Sequence, residues 1–485
     1  MNSMSTTIIL QIMFGAYVVF VSVFLISENR APKSSFAWML LFILLPGLGL
    51  LIYLFFGRGY KAFVRKFKVK EQDAPAKISG LLQEVRDQHD AALARLAQEN
   101  PVAARVATLV HSNANSTITT SNRVAVLQNA TQTYPALIAA MEQATSTIHL
   151  NYYIWNGDTF GNRLLTLLAK KVAEGVTVRI LYDPVGSFSG LGWRYLRKAR
   201  AAGIEIRPGS ALWRVHTISY RNHRKIAVID GTVGFTGGLN IGDEHLDPPP
   251  GFDRWRDTHI RLTGSVVWSM QAIFLIDWAN ATDEVLDPVP LFPPVSLDDR
   301  AANLPVQICL SGPDSEHASI RQLYFELIVS AKTQVLIQSP FFILDETLAE
   351  ALKLKALSGV DVQVMISPKG PGQFLPYWAA NTYALDVARA GVKVHHYQSG
   401  YLHAKTVCVD GQISSIGSAN WDIRSFSINY ELTAVVYDRG VSQQLVAAFH
   451  DDLADCAAFE VTEYQSRGRL LRFRDSVARL ASPLL

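Results

Sequence analysis

The chain carries one motif twice, 180 residues apart, and that repetition constrains its fold more than any other feature. The first copy reads His223-Arg-Lys225-Ile-Ala-Val-Ile-Asp230, followed after six residues by Gly237-Gly-Leu-Asn240. The second reads His403-Ala-Lys405-Thr-Val-Cys-Val-Asp410, followed after six residues by Gly417-Ser-Ala-Asn420. With 12 His, 16 Lys and 26 Asp among 485 residues, one H-x-K-x4-D is expected by chance about 0.02 times. Two copies with matching glycine and asparagine offsets therefore mark a duplication.

The flanking pattern repeats too. In the first half a helix is predicted over 134–143, a strand over 147–155, a helix over 163–174, a strand over 176–182, an apolar segment over 203–207 and a strand after His223. The second half gives a helix over 324–331, a strand over 333–343, a helix over 347–358, a strand over 360–366, a segment over 391–396 and a strand after His403. Helices alternating with apolar strands are the α/β signature. Equivalent points lie 180 to 188 residues apart, too far for a solenoid repeat, so two whole domains are expected. Five prolines between Asp287 and Pro305 mark their boundary. The predicted organisation is 1–70 a membrane hairpin with a basic flank, 71–125 a helical linker, 126–286 the first domain, 287–305 a proline-rich linker, 306–466 the second domain and 467–485 a basic amphipathic tail.

Two charge-free apolar runs, 8–26 and 36–56, are each long enough to cross a bilayer as a helix of about 1.5 Å per residue. No lysine or arginine precedes Arg30 and a second run follows at once, which excludes a cleaved signal peptide. Residues 58–70 carry six basic groups against two in the connection 27–35, so the positive-inside bias places residue 58 onward in the cytoplasm. Residues 1–70 hold eight basic groups and one acid, leaving 37 basic against 41 acidic in the rest. A domain with that balance has no overall field to gather nucleic acid. Three scattered cysteines with no C-x-x-C pair exclude a disulfide scaffold and argue against a thiolate zinc site.

Strand alternation puts His223 and Lys225 on one face. Ile226 and Val228 continue one apolar pattern and Ala227 and Ile229 the other, which predicts a strand buried on both faces with a cleft at its start. Asp230-Gly231 and Asp410-Gly411 are turn dipeptides that fold the chain back as a hairpin, bringing Asn240 and Asn420 toward their histidines. Asp230 and Asp410 close each motif and are counted with its catalytic candidates, but their parity is opposite to that of the histidines and their turn chemistry favours a structural anchor. Two histidines, two lysines and two asparagines suit one anionic substrate, with Lys225, Lys405, Asn240, Asn420 and Ser418 as donors to phosphate oxygens. Lysine beside each histidine argues against a metal.

These residues resemble the phospholipase D superfamily, whose signature is the doubled H-x-K-x4-D with its trailing G-[GS]-x-N. More narrowly the chain is similar to bacterial cardiolipin synthases. Glu28-Asn-Arg-Ala-Pro-Lys33, Ala37-Trp38, Pro46, Phe56-Gly57, Tyr152-Tyr-Ile-Trp155, Asn240-Ile-Gly-Asp-Glu-His-Leu246, Trp255-Arg-Asp-Thr-His259 and Arg424-Ser-Phe-Ser-Ile-Asn-Tyr-Glu431 extend the resemblance along nearly the whole chain. Gly238 stands where the second half has Ser418, so a hydroxyl is available on one side only.

The resemblance implies two phospholipase D-like α/β domains sharing one active site, and a phosphohistidine intermediate. It implies His223 as nucleophile oriented by Asp257, and His403 as acid and then base with Glu431 behind it. The competing expectation for these carboxylates is a surface ion pair with Arg256 or Arg424. Further implications are phosphatidylglycerol as both donor and acceptor, anionic membrane lipid as partner, no cofactor, and a bacterial inner membrane with the catalytic domains cytoplasmic. The oligomeric state is left open. A phospholipase D-type hydrolase, a synthase using another alcohol, a superfamily nuclease and a non-catalytic scaffold are the alternatives. At the C-terminus Leu470, Phe473, Val477 and Leu480 recur at helical spacing beside Arg467, Arg472 and Arg479. That pattern fits an anchor on anionic lipid or a terminal helix packed on its domain.

Overall fold

A computed structural model describes residues 2–27, 32–49, 53, 76–210 and 219–482, with side chains in the first helix described from Gln11 onward. The basic flank 58–70 and most of 50–56 lie outside the described residues. The chain divides into two compact units, Met1–Arg65 with Leu212–Ser219, and the remainder.

In the first unit the run 8–26 lies in the helix Asn2–Ser27, whereas the run expected to be helical over 36–56 is in the helix Pro32–Leu44 only as far as Leu44, where a turn at Pro46 and Gly47 interrupts it. Val21, Leu25, Phe42 and Tyr53 make its small core, with Trp38 edge-on to Tyr53 at 5.0 Å. Among the described residues no helix is long and apolar enough to cross a membrane.

The second unit holds two sheets of the same design. The first contains β1 (Asn122–Gln128), β2 (Thr147–Tyr152), β3 (Thr177–Tyr182), β4 (Glu205–Pro208), β5 (Ile226–Ile229), β6 (Val233–Gly237) and, beyond a short β7 (Trp255–Arg256), β8 (Thr258–Gly264). The second contains β9 (Val306–Ser311), β10 (Gln334–Ser339), β11 (Asp361–Ile366), β12 (Lys393–Tyr397) and, beyond a short β13 (Tyr401–Leu402), β14 (Thr406–Val409), β15 (Ile413–Gly417), β16 (Glu431–Val436) and β17 (Cys456–Ala458). The spatial orders are β1-β8-β6-β5-β2-β3-β4 and β17-β12-β11-β10-β14-β15-β16-β9, so the second repeats the first with one added edge strand. In each sheet a three-strand parallel run meets an antiparallel hairpin, β5–β6 or β14–β15.

The predicted alternation along β5 is what divides the core. Ala227 and Ile229 enter the core of the first domain, while Ile226 and Val228 enter a shared layer with Ile260, Leu262, Val306, Ile308, Leu432 and Ala434. That layer draws apolar side chains from both sheets, each worth roughly 1.5–3 kcal/mol when buried, and so holds the halves together. A charged residue at Val228 would break it.

The predicted linker is more than a bridge. Its helices Ala76–Glu99 and Pro101–Ala114 bury Leu96, Val106 and Val110 in one cluster with Leu323 and Leu327 of the second domain. Asn100 caps the latter helix, its side chain accepting the Ala103 N–H at 3.1 Å with proline at the first helical position. At the other end the helix Arg469–Leu480 packs on the helix Leu375–Ala388.

Candidate active site

Both histidines sit just before a central strand and are zipped, through backbone, to the opposite domain. β13 pairs in parallel with β7, and the His403 N–H continues the ladder to the Arg256 carbonyl at 2.7 Å. On the other side the His223 N–H bonds the Tyr430 carbonyl at 2.9 Å and the Tyr430 N–H bonds the Arg221 carbonyl at 2.8 Å. The residue after each carbonyl that receives a histidine N–H, Arg256 or Tyr430, is a carboxylate, Asp257 or Glu431. Register alone therefore delivers each carboxylate to the histidine of the other half.

This crossing corrects the pairing expected from sequence. His223 Nδ1 lies 2.9 and 3.0 Å from the two carboxylate oxygens of Glu431, and His403 Nδ1 lies 2.7 Å from Asp257 Oδ2. Offsets of 34 and 28 residues along the chain carry no information about which half a carboxylate will face. Neither carboxylate makes a surface ion pair: both are fully buried, and Arg256 binds Asp452 instead at 2.8 Å.

A carboxylate only accepts, so each Nδ1 carries the proton and each Nε2 lone pair is left for chemistry. Burial pushes His223 down to about 4, with Lys225 adding to the effect and Glu431 opposing it. Burial, reinforced by Lys405, holds His403 well below its ordinary value. Although burial opposes it, His223 and Lys225 hold the Glu431 carboxyl below the usual range. Burial pushes Asp257 up. Lys225 and Lys405 donate to the carbonyls of His223 and His403 at 2.7 and 2.5 Å. Burial lowers these lysines to about 7 and about 8.

The histidines open on a cleft of about 860 Å³ lined by Asn240, Asn420, Arg221, Arg424 and Asp422, with an apolar side of Phe341, Phe374, Leu375 and Trp378. Asn240 and Asn420 thus reach the same cleft as the histidines. Ser418 does not face phosphate as expected. It is buried, donates to Glu431 Oε2 at 2.5 Å and accepts the Leu432 N–H at 3.0 Å. At Gly238 a Cβ would collide with the Asp257 carboxylate. A small residue and a close carboxylate therefore go together in the first half, and a serine with a longer carboxylate in the second.

Asp230 and Asp410 are likewise outside the catalytic cluster in which the signature placed them. Asp230 accepts from the N–H groups of Thr145, Ser146 and Thr147, and Asp410 from those of Lys332, Thr333 and Gln334. They cap the start of β2 and β10 at the other end of the central strands, roughly 20 Å of extended chain from the histidines. Asp230 and Gly231 both have positive φ, 51° and 65°, as a type I′ turn requires. The anchor reading from strand parity describes them.

Sequence reasoning missed the aromatic wall and one histidine. The Tyr153 ring stands 4.8 Å from that of His223, and Trp255 and Tyr401 stand 5.4 and 5.6 Å from His403. His245 is buried, its Nε2 accepting the Asn240 N–H at 3.2 Å, its ring 6.4 Å from His403. A signal existed: Ser425 accepts the Asn420 N–H at 3.2 Å from the same offset of five residues. Among the described residues no group of three or more histidine, cysteine or acidic side chains is placed to hold a metal.

Two like domains, each giving a histidine and an asparagine to one cleft with a buried lysine bonded to the carbonyl of each histidine, define a phospholipase D-like site. The fold agrees: phosphatidylserine synthase of Haemophilus influenzae superposes with a TM-score of 0.58 at 14% identity, covering 75% of this chain and 95% of that one. The family model for the cardiolipin synthase phospholipase D-like domain matches residues 137–248 and 324–453, and a phospholipase D-nuclease N-terminal model matches 16–58. A cardiolipin synthase of Geobacillus thermodenitrificans is 39% identical over 98% of this chain and 94% of its own. The major cardiolipin synthase of Bacillus subtilis is 37% identical over 99% of both chains. The chain belongs to the cardiolipin synthase family, phosphatidyltransferases of the phospholipase D superfamily.

Proposed function

We propose that the chain transfers the phosphatidyl group of one phosphatidylglycerol to the terminal hydroxyl of another, giving cardiolipin and glycerol. The observation that supports this most is the pair of crossed contacts, which presents two Nδ1-anchored imidazoles to one cleft with an apolar side. His223 Nε2 attacks phosphorus as the bond to the glycerol oxygen breaks, and protonated His403 gives that oxygen its proton. His403 then takes the proton of the incoming hydroxyl, whose oxygen displaces His223 and restores a phosphodiester. One phosphodiester replaces another, so no energy-rich cofactor is consumed.

Glu431, close through both oxygens, offsets the positive charge His223 carries as a phosphohistidine. Lys225, Lys405, Asn240 and Asn420 offset the charge on the phosphoryl oxygens. The anionic substrate in turn favours the charged lysines and the protonated His403 that burial alone disfavours. In this reading the two apolar runs span a bacterial inner membrane as a hairpin, with 58–70 and the catalytic domains on the cytoplasmic side. A reporter fused after Lys70 should behave as cytoplasmic. The test of function is to incubate the purified chain with phosphatidylglycerol alone: cardiolipin and glycerol in equal amounts are expected, and phosphatidic acid in their place would make it a hydrolase.

A further inference from the structure

The C-terminal helix Arg469–Leu480 packs with its apolar side outward. Its buried residues are Asp475 and Ala478, whereas Leu470, Phe473, Val477 and Leu480 are 84%, 68%, 47% and 81% exposed. At 3.6 residues per turn those four fall within about 80° of one another, nearly opposite Asp475 and Ala478. Polar contacts fix the helix this way round. Asp475 accepts from Asn381 at 3.1 Å and pairs with Arg474 at 2.7 Å, and the Tyr383 hydroxyl bonds Ser482 at 3.0 Å.

The helix that carries the stripe starts beside the mouth of the cleft. Arg474 lies 4.5 Å over Trp378 and Arg479 lies 4.4 Å over Tyr383, so partners advance in the same direction along both helices. The start of the C-terminal helix is therefore beside Trp378, which lines the cleft together with Phe374 and Leu375, 67% and 46% exposed. Residues 467–480 carry five arginines and one acid, Asp475, which is buried against Arg474. The rest of the globular unit has an excess of acidic groups, so this local charge is specific to the stripe.

We propose that the stripe and the Phe374–Leu375 lip form one face that seats on an anionic lipid surface. Leu470, Phe473, Val477 and Leu480 enter among acyl chains, Arg469 and Arg472 meet lipid phosphates, and the cleft opens at headgroup level. The inference rests on the proposed lipid substrate and adds the surface through which that lipid is reached.

The test uses the full chain with Cys456→Ser, carrying an environment-sensitive fluorophore on Phe473→Cys, Phe374→Cys or, as a control, Lys170→Cys. Reconstituted into vesicles of phosphatidylglycerol mixed with phosphatidylcholine, probes at 473 and 374 should shift to the blue and be quenched by brominated acyl chains, while the probe at 170 should not. Absence of quenching at 473, equal quenching at 170, or cross-linking between two copies through residue 473 without quenching overturns the proposal. A second arm compares Phe473→Ser/Val477→Ser with the unaltered chain. The lipid concentration for half-maximal turnover should rise roughly tenfold on bilayer phosphatidylglycerol, with turnover of a short-chain monomeric phosphatidylglycerol unchanged. Equal loss on both substrates overturns the docking face. An unaltered chain inactive on both lipids but still quenched at 473 overturns the substrate assignment and supports the face.

Discussion

The two halves share a backbone and differ in what stands behind the histidine. Behind His223 is Glu431, both oxygens within 3.0 Å, with the Ser418 hydroxyl on one of them. Behind His403 is Asp257, touching through one oxygen at 2.7 Å, with the Thr258 N–H as its donor and a glycine where the serine would be. His245 stands near His403, whereas at the same offset the other half has Ser425. Duplication supplied two equal strands and two equal turns. What distinguishes the two histidines is a few substitutions around them.

Removing either histidine should break the comparison most severely. His223→Ala and His403→Ala are each expected to lower turnover by more than about 10³-fold, and the double variant by little more, because in the proposed reaction the two act on one phosphorus. A nitrophenyl phosphodiester, whose leaving group needs no proton, separates them. His403→Ala should still form a covalent adduct on residue 223, and His223→Ala should form none. An adduct on residue 403 in the latter would exchange the roles of the halves.

The carboxylates come next, at an expected loss on the order of 10²- to 10⁴-fold. Because the contacts cross, Glu431→Gln should slow adduct formation on His223. Asp257→Asn should spare that step with the nitrophenyl substrate and slow transfer to the alcohol. Opposite assignments in rapid-quench measurements would restore pairing within each half.

The crossing also marks the limit of what the sequence discloses. Strands such as Thr177–Tyr182 were legible because apolar runs between turn residues have few alternatives, and the anchor role of the aspartates was legible from parity and turn chemistry although the motif also counted them as catalytic. The partner of each histidine was not, because it depends on register between segments some 150 to 200 residues apart. Ser418 was misplaced for a related reason: a hydroxyl beside a phosphate site reads as a phosphate ligand until a buried carboxylate is seen to claim it. The C-terminal stripe was legible as amphipathic, but only the contacts of Asp475 decide which side faces in.

A smaller effect concerns pH. With Lys225 at about 7 and Lys405 at about 8, the free enzyme loses positive charge from its phosphate site as pH rises through that window. The value of kcat/KM should therefore fall there, while kcat holds to higher pH because bound substrate keeps the ammonium groups charged. Stability moves the other way. Between about 7 and 10.5 the unfolded chain holds a proton at Lys225 that the folded chain has released, so folding is favoured as pH rises through that interval. Lys225→Met should accordingly raise the melting temperature at neutral pH while removing activity, and a lower melting temperature would show that the lysine is held by more than burial.

The smallest expected effect sharpens the comparison most finely. Ser418 donates to Glu431 and accepts the Leu432 N–H, whereas its counterpart Gly238 has no side chain and no room for one. Ser418→Ala removes one charge-assisted hydrogen bond to that carboxylate and leaves those from His223 and Asn429. A net cost of about 1 kcal/mol corresponds to roughly a fivefold slower adduct formation. Glu431 also becomes easier to protonate, so the acid limb of that step should move to higher pH. Transfer to the alcohol, which the proposed mechanism assigns to His403 and Asp257, should be unaltered. If Ser418→Ala instead slowed both steps equally, the serine would serve the shared phosphate, and the two halves would be functionally more alike than their side chains.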